Sequence, residues 1–110
     1  MPKTVDSKMS AAMDQLLTNI KSDYIDDFKG RIIEKHFKVD YEVGSKYIKV
    51  VKGMQDGSHE SVWGFVVNTD NDSKFRKGDL LMAASWRAPA RNFPRGNVFE
   101  NYKIRWVGTI

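Results

Sequence analysis

The chain has 110 residues, 41% apolar side chains and 29% charged ones, enough for one modest core and not two. Its longest apolar stretches run only a few residues, which excludes a membrane-spanning helix, and the absence of Cys excludes disulfides, thiol catalysis and Cys-ligated zinc. Lys plus Arg exceeds Asp plus Glu by 18 to 14, giving +4 and an isoelectric point near 9.4, a balance that fits either nucleic-acid binding or plain solubility. Three Trp, six Phe and four Tyr, with a mean hydropathy of −0.51, describe a foldable chain rather than a disordered tail. The first residues lack the apolar run of a signal peptide, so a cytoplasmic location is expected.

In chain order, Met9, Ala12, Met13, Leu16, Leu17 and Ile20 recur at three- and four-residue spacing and predict a helix near 7–20, capped by Asp6 or Ser7. Ile25, Phe28, Ile32 and Ile33 repeat the spacing on a rotated face. Ser22 offers an N-cap, and Asp23, Asp26 and Asp27 precede Lys35 and His36 in macrodipole order, which predicts a second helix near 23–36. One longer helix, weakest at Gly30, is the alternative.

Strand signals follow. Lys46–Val51 alternates and is β-branched, Ser61–Val67 is apolar enough for a central strand, and Leu80–Trp86 reads as a third. Turn clusters separate them, at 53–58 and 68–73. In Tyr102–Val107 the alternation sets Tyr102, Ile104 and Trp106 against Lys103 and Arg105. The expected fold is a single α+β domain over 1–110. Its helical part is about 7–37 and its strand part about 46–110, with two N-terminal helices packed on a small, mostly antiparallel sheet or partly open barrel. Trp63, Phe65, Leu81, Ile104 and Trp106 are the expected core of the strand part.

Basic charge concentrates in the last third. Lys74, Arg76, Lys77, Arg87, Arg91, Arg95, Lys103 and Arg105 face only Asp79 and Glu100 within residues 74–105, a local balance of +6. In the stretch 85–97, three Arg recur every fourth residue, but Pro89 and Pro94 prevent a helical stripe. This is a stiff loop with Trp86 and Phe93 interleaved among guanidinium groups. Such a loop can track phosphates and stack bases; equally, its Arg and Asn side chains can tie down its own carbonyls. Both readings stand.

Other motifs are weaker. Asp70-Asn71-Asp72 lacks the Gly and distal Glu of a calcium loop. Asp56 with Asp72-Ser73-Lys74 faintly echoes a nuclease pattern, but both acids lie in turns. His36 and His59 have no partner at ligand spacing, so neither a metal nor a cofactor is expected, and no nucleophile–base set suggests an enzyme.

Residues Val62–Val67, Lys77–Leu80, Ala83–Asn92 and Arg95–Asn97, carried above all by Ala-Pro-Ala-Arg-Asn and Arg-Gly-Asn, resemble small uncharacterised proteins of tailed bacteriophages. The likeness runs from Tyr47 through Trp106. It implies a phage setting in a host cytoplasm and carries no activity with it. The sequence thus predicts a non-enzymatic basic module binding single-stranded DNA or RNA. The residues involved would be Lys74, Arg76, Lys77, Trp86, Arg87, Arg91, Phe93, Arg95, Lys103 and Arg105, with Arg91 and Arg95 foremost. The alternative is a phage protein that binds and modulates a host protein, or a minor structural protein, whose helices could support a homodimer. No membrane partner is expected.

Overall fold

A computed structural model describes residues 5–27 and 37–109. One helix, α1, spans Ser7–Asp27. Asp6 is its N-cap, accepting the Met9 N–H at 2.7 Å on Oδ1 while its own carbonyl accepts from Ser10 at 2.9 Å.

The expected pair of helices is corrected here. The break near Ser22 does not occur, because the buried stripe Met9, Met13, Leu16, Ile20 passes on to Tyr24 at unbroken helical spacing. Ile25, assigned to the rotated face, is 37% exposed. Residues 28–36, the rest of the expected second helix, lie outside the described residues.

The sheet has four strands in the order β1 (Phe37–Val43), β2 (Tyr47–Met54), β3 (Ser61–Val67) and β4 (Leu80–Leu81), each antiparallel to its neighbour. A separate hairpin pairs β5 (Ile104–Arg105) with β6 (Gly108–Thr109). The fold is therefore α+β but mostly sheet. Its strand part begins at Phe37 rather than near residue 46, because the 37–43 segment pairs along its whole length with β2. The third expected strand stops at Leu81: Ala83 pairs only in an isolated bridge with Pro89, and the chain turns away. The last expected strand is cut to Ile104–Arg105 by the turn at Trp106 and Val107.

Both faces of the sheet are covered. Ile48, Val50, Trp63, Val66 and Leu80 pack against the α1 stripe. Phe65, Val67, Leu81 and Phe75 form a smaller cluster on the opposite face, with Tyr47, Val62 and Ala83 against it. A bulge divides the side chains between these faces. Val50 pairs with Gly64 and Val51 with Val62, so Trp63 is the extra residue on β3. The bulge leaves Trp63 on the helix side together with Val66, where its indole N–H donates to the Arg105 carbonyl at 2.8 Å. Trp63, Phe65 and Leu81 are buried, as expected for their apolar strands, whereas Ile104 and Trp106 are only half-buried on the outer hairpin.

Candidate nucleic-acid interface

The candidate surface is the loop that follows β4 and returns along it. Ala90 N–H donates to the Met82 carbonyl at 2.7 Å, Arg95 N–H to Leu80 at 2.7 Å, and Leu80 N–H to Gly96 at 2.8 Å. The loop thus borders β4 as an irregular added strand. Its outer end is a tight turn. Ala84 and Ser85 both donate to the Ala88 carbonyl, and the Ser85 hydroxyl accepts the N–H groups of Arg87 and Ala88 at 3.3 and 3.2 Å. Buried Pro89 stiffens the return. These bonds hold the backbone so that Trp86 and Arg87 stand at the tip.

Two aromatic rings on this loop are solvent-facing, Trp86 at 47% exposed and Phe93 at 53%. Each carries a cation. Lys49 Nζ lies 4.5 Å from the Trp86 ring centroid, and the Arg95 guanidinium lies 4.1 Å from that of Phe93. Arg95 also reaches the Met82 sulfur at 3.9 Å, and its Nε is buried with no acceptor. Arg87 is exposed and donates to no acid among the described residues.

Arg91 has the opposite fate. Its two terminal nitrogens grip Asp72 at 2.9 and 2.8 Å, one of them also donates to the Tyr47 hydroxyl at 2.5 Å, and its plane lies 4.8 Å from the Phe75 ring centroid. The Asp72 side chain is 1% exposed and also accepts the N–H groups of Lys74 and Phe75 at 2.8 and 3.0 Å. The Arg91 hydrogen bonds, together with those backbone donors, hold the Asp72 carboxyl well below the usual carboxylate range, and Asp72 in turn raises the Arg91 guanidinium. Lys74 closes the same corner by donating to the Arg91 carbonyl at 2.6 Å.

Most of the remaining basic residues are also matched by acids. Arg76 forks onto Glu100 at 3.0 and 3.1 Å, and Lys77 reaches Asp6 at 2.8 Å. Arg105 bridges Asp23 at 2.9 Å and Asp27 at 2.6 Å. Lys103 is exposed. Of the expected strip of Arg91 and Arg95 with Lys103 and Arg105, Arg91 and Arg105 are thus engaged by acids. Lys49, absent from the sequence-derived set, joins it through Trp86; its alternation with Tyr47 along β2 was the available signal.

The weaker motifs resolve locally. Asp56 accepts from the N–H and hydroxyl of Ser58 at 2.9 and 2.6 Å, while Asp72 is held by Arg91, so the two acids share no site. His59 is an exposed turn residue with φ 58°. Among the described residues, no three His, Cys, Asp or Glu side chains are placed to hold a metal ion, and no helix is long and apolar enough to cross a membrane.

An α1-backed antiparallel sheet with an ordered aromatic and basic loop defines the class of protein. Residues 2–108 match the Family of unknown function (DUF7717), and the chain belongs to that family. No curated protein and no solved structure matches it. The family match gives no sign of a bacteriophage origin.

Proposed function

We propose that the protein is a small non-enzymatic module that binds single-stranded nucleic acid through the loop after β4. The observation that carries this reading is the pair of exposed rings, Trp86 and Phe93, each held against a cation on a hydrogen-bonded backbone. A cation on one face of a ring leaves the other face for a base and places positive charge where the neighbouring phosphate passes. Lys49, Arg87 and Arg95 are the phosphate contacts in this reading. Arg91 is the structural anchor that fixes the loop. The tailed-bacteriophage setting belongs to the same proposal and adds no activity to it.

The test is fluorescence anisotropy with labelled oligo-dT and oligo-U at low and rising salt, with a duplex as control. Trp86→Ala and Phe93→Ala should each weaken single-strand binding by about tenfold, the order of one stacked base, without lowering the melting temperature. An unmodified protein that binds neither oligonucleotide at low salt would retire the reading and leave a protein partner for the loop.

A further inference from the structure

The outer edge of β1 is long and regular. It pairs with β2 over all seven residues without a bulge, contains neither Pro nor Gly, and among the described residues no strand pairs with its other side, where the Phe37 carbonyl at the strand's start accepts from Gln55 Nε2 at 3.3 Å. Such an edge is a template for another strand unless something blunts it. The Gly44 N–H donates to the Tyr47 carbonyl at 2.9 Å, and bonded pairs alternate along an antiparallel ladder. Glu42, Asp40 and Lys38 therefore exchange bonds with β2, while Val39, Tyr41 and Val43 aim their N–H and C=O groups at the open edge. Beside that edge runs a groove of about 300 Å³, with Leu17, Thr18 and Lys21 of α1 on one wall and Val39 on the other.

We infer that the occupant is a second copy of this chain, added antiparallel through β1 about a two-fold axis at Val39. The charge pattern selects both partner and register. With Val39 opposite Val39, Lys38 meets Asp40 twice and Phe37 meets Tyr41 twice, with no like-charge pair within the described strand. Centring on Asp40 sets two carboxylates face to face, and centring on Tyr41 sets Asp40 against Glu42. Lys38, Asp40 and Glu42 lie on one face; Lys38 lies 3.7 Å from Glu60 of its own chain, and Lys38 and Asp40 become complementary when the strand meets itself. The result is an eight-stranded sheet with the two β4 strands, and the loops after them, at its outer ends. This inference is independent of the nucleic-acid reading.

The experiment is sedimentation velocity of the nucleic-acid-free full chain over a wide concentration range, with hydrogen exchange at Val39 and Tyr41. The unmodified protein should dimerise, and those two amides should gain protection as concentration rises. Val39→Pro removes an N–H that β2 does not use, so it should abolish the dimer. Asp40→Lys turns both opposite-charge pairs into repulsions and should raise the dimer dissociation constant about tenfold or more. The exchange Lys38→Asp with Asp40→Lys restores both pairs in this register alone and should recover dimerisation. A protein that stays monomeric throughout overturns the inference. So does a dimer indifferent to both single changes, or a dimer that the double exchange fails to rescue.

Discussion

Arg91 and Arg87 are four positions apart on one loop, and their surroundings assign them opposite roles. Arg91 meets a carboxylate that is almost wholly removed from water, and that carboxylate is left uncompensated if the guanidinium is deleted. Arg91→Ala should therefore lower the melting temperature by roughly 5–10 °C, whereas Arg87→Ala should leave it unchanged. Circular-dichroism melts of the two variants read the difference. Asp72 also makes this corner sensitive to acid. A carboxylate held below its unfolded value of about 4 contributes stability above that value and loses it as pH falls toward its folded one. Asp72→Asn should thus be less stable than the unmodified protein at pH 7, and the gap should narrow on titration to about pH 3. Asp6 and Glu100 are lowered by their partners Lys77 and Arg76 as well, so acid unfolding of the unmodified protein is collective and the gap, rather than the absolute midpoint, is the quantity to follow.

The helix and the turns carry the predictions at the level of elements. If one continuous stripe buries α1, Tyr24→Ala should cost on the order of 3 kcal/mol, because Tyr24 is 2% exposed and stacks on Phe37 with ring centroids 4.0 Å apart. Ile25→Ala should cost less than about 1 kcal/mol. A helix broken at Ser22 would reverse that order in urea titrations. Gly78 and Gly57 give a second contrast. Both have positive φ, 93° and 87°, but a Cβ at Gly78 would stand 2.6 Å from the Phe99 ring and 2.8 Å from the Asn97 side-chain oxygen, while at Gly57 it meets nothing within 4 Å. Gly57→Ala should cost only the left-handed penalty of about 1 kcal/mol, and Gly78→Ala clearly more, by the same titrations. Gly78 sits where the turn hands the chain to β4, and its N–H donates to Val67 at 2.8 Å, so the clash would disturb the sheet edge that supports the loop.

Across the whole molecule, charge is arranged to hold the two halves together. The basic third meets acids from α1 and its N-cap: Asp6 takes Lys77, and Asp23 and Asp27 take Arg105. Asp23 and Asp27 lie near the helix C-terminus, where the macrodipole disfavours acids, and Arg105 compensates them. Asp72 and Glu100 hold Arg91 and Arg76. A surface using all eight basic residues would give a single-strand salt slope of roughly −6, at about −0.7 per phosphate. With Lys49, Arg87 and Arg95 as the contacts, the expected slope is roughly −2. Plotting log affinity against log salt in the anisotropy assay distinguishes the two values.

Length and composition bounded the chain to one modest core, and local patterning located what local physics controls. The i, i+3, i+4 spacing from Met9 to Ile20 marks the helix, Ser61–Val67 marks the central strand, and the Pro and Arg content of 85–97 marks the unusual loop. These features are periodic or compositional, so a sequence displays them directly. Phe37–Val43 was legible as well, since Phe37, Val39, Tyr41 and Val43 alternate strictly with Lys38, Asp40 and Glu42, the pattern of a half-buried strand. Two other features depended on contacts between distant segments. Tyr24 rather than Ile25 continued the helix stripe because Phe37 and Trp106 offered it a ring-lined site. The basic residues could be counted in the sequence, but which were engaged was decided by acids 19 to 82 positions away. Charge is a property of residues, whereas neutralisation is a property of pairs, and only the tertiary structure brings Asp72 to Arg91 and Asp23 to Arg105 while leaving Trp86, Arg87 and Phe93 to the solvent.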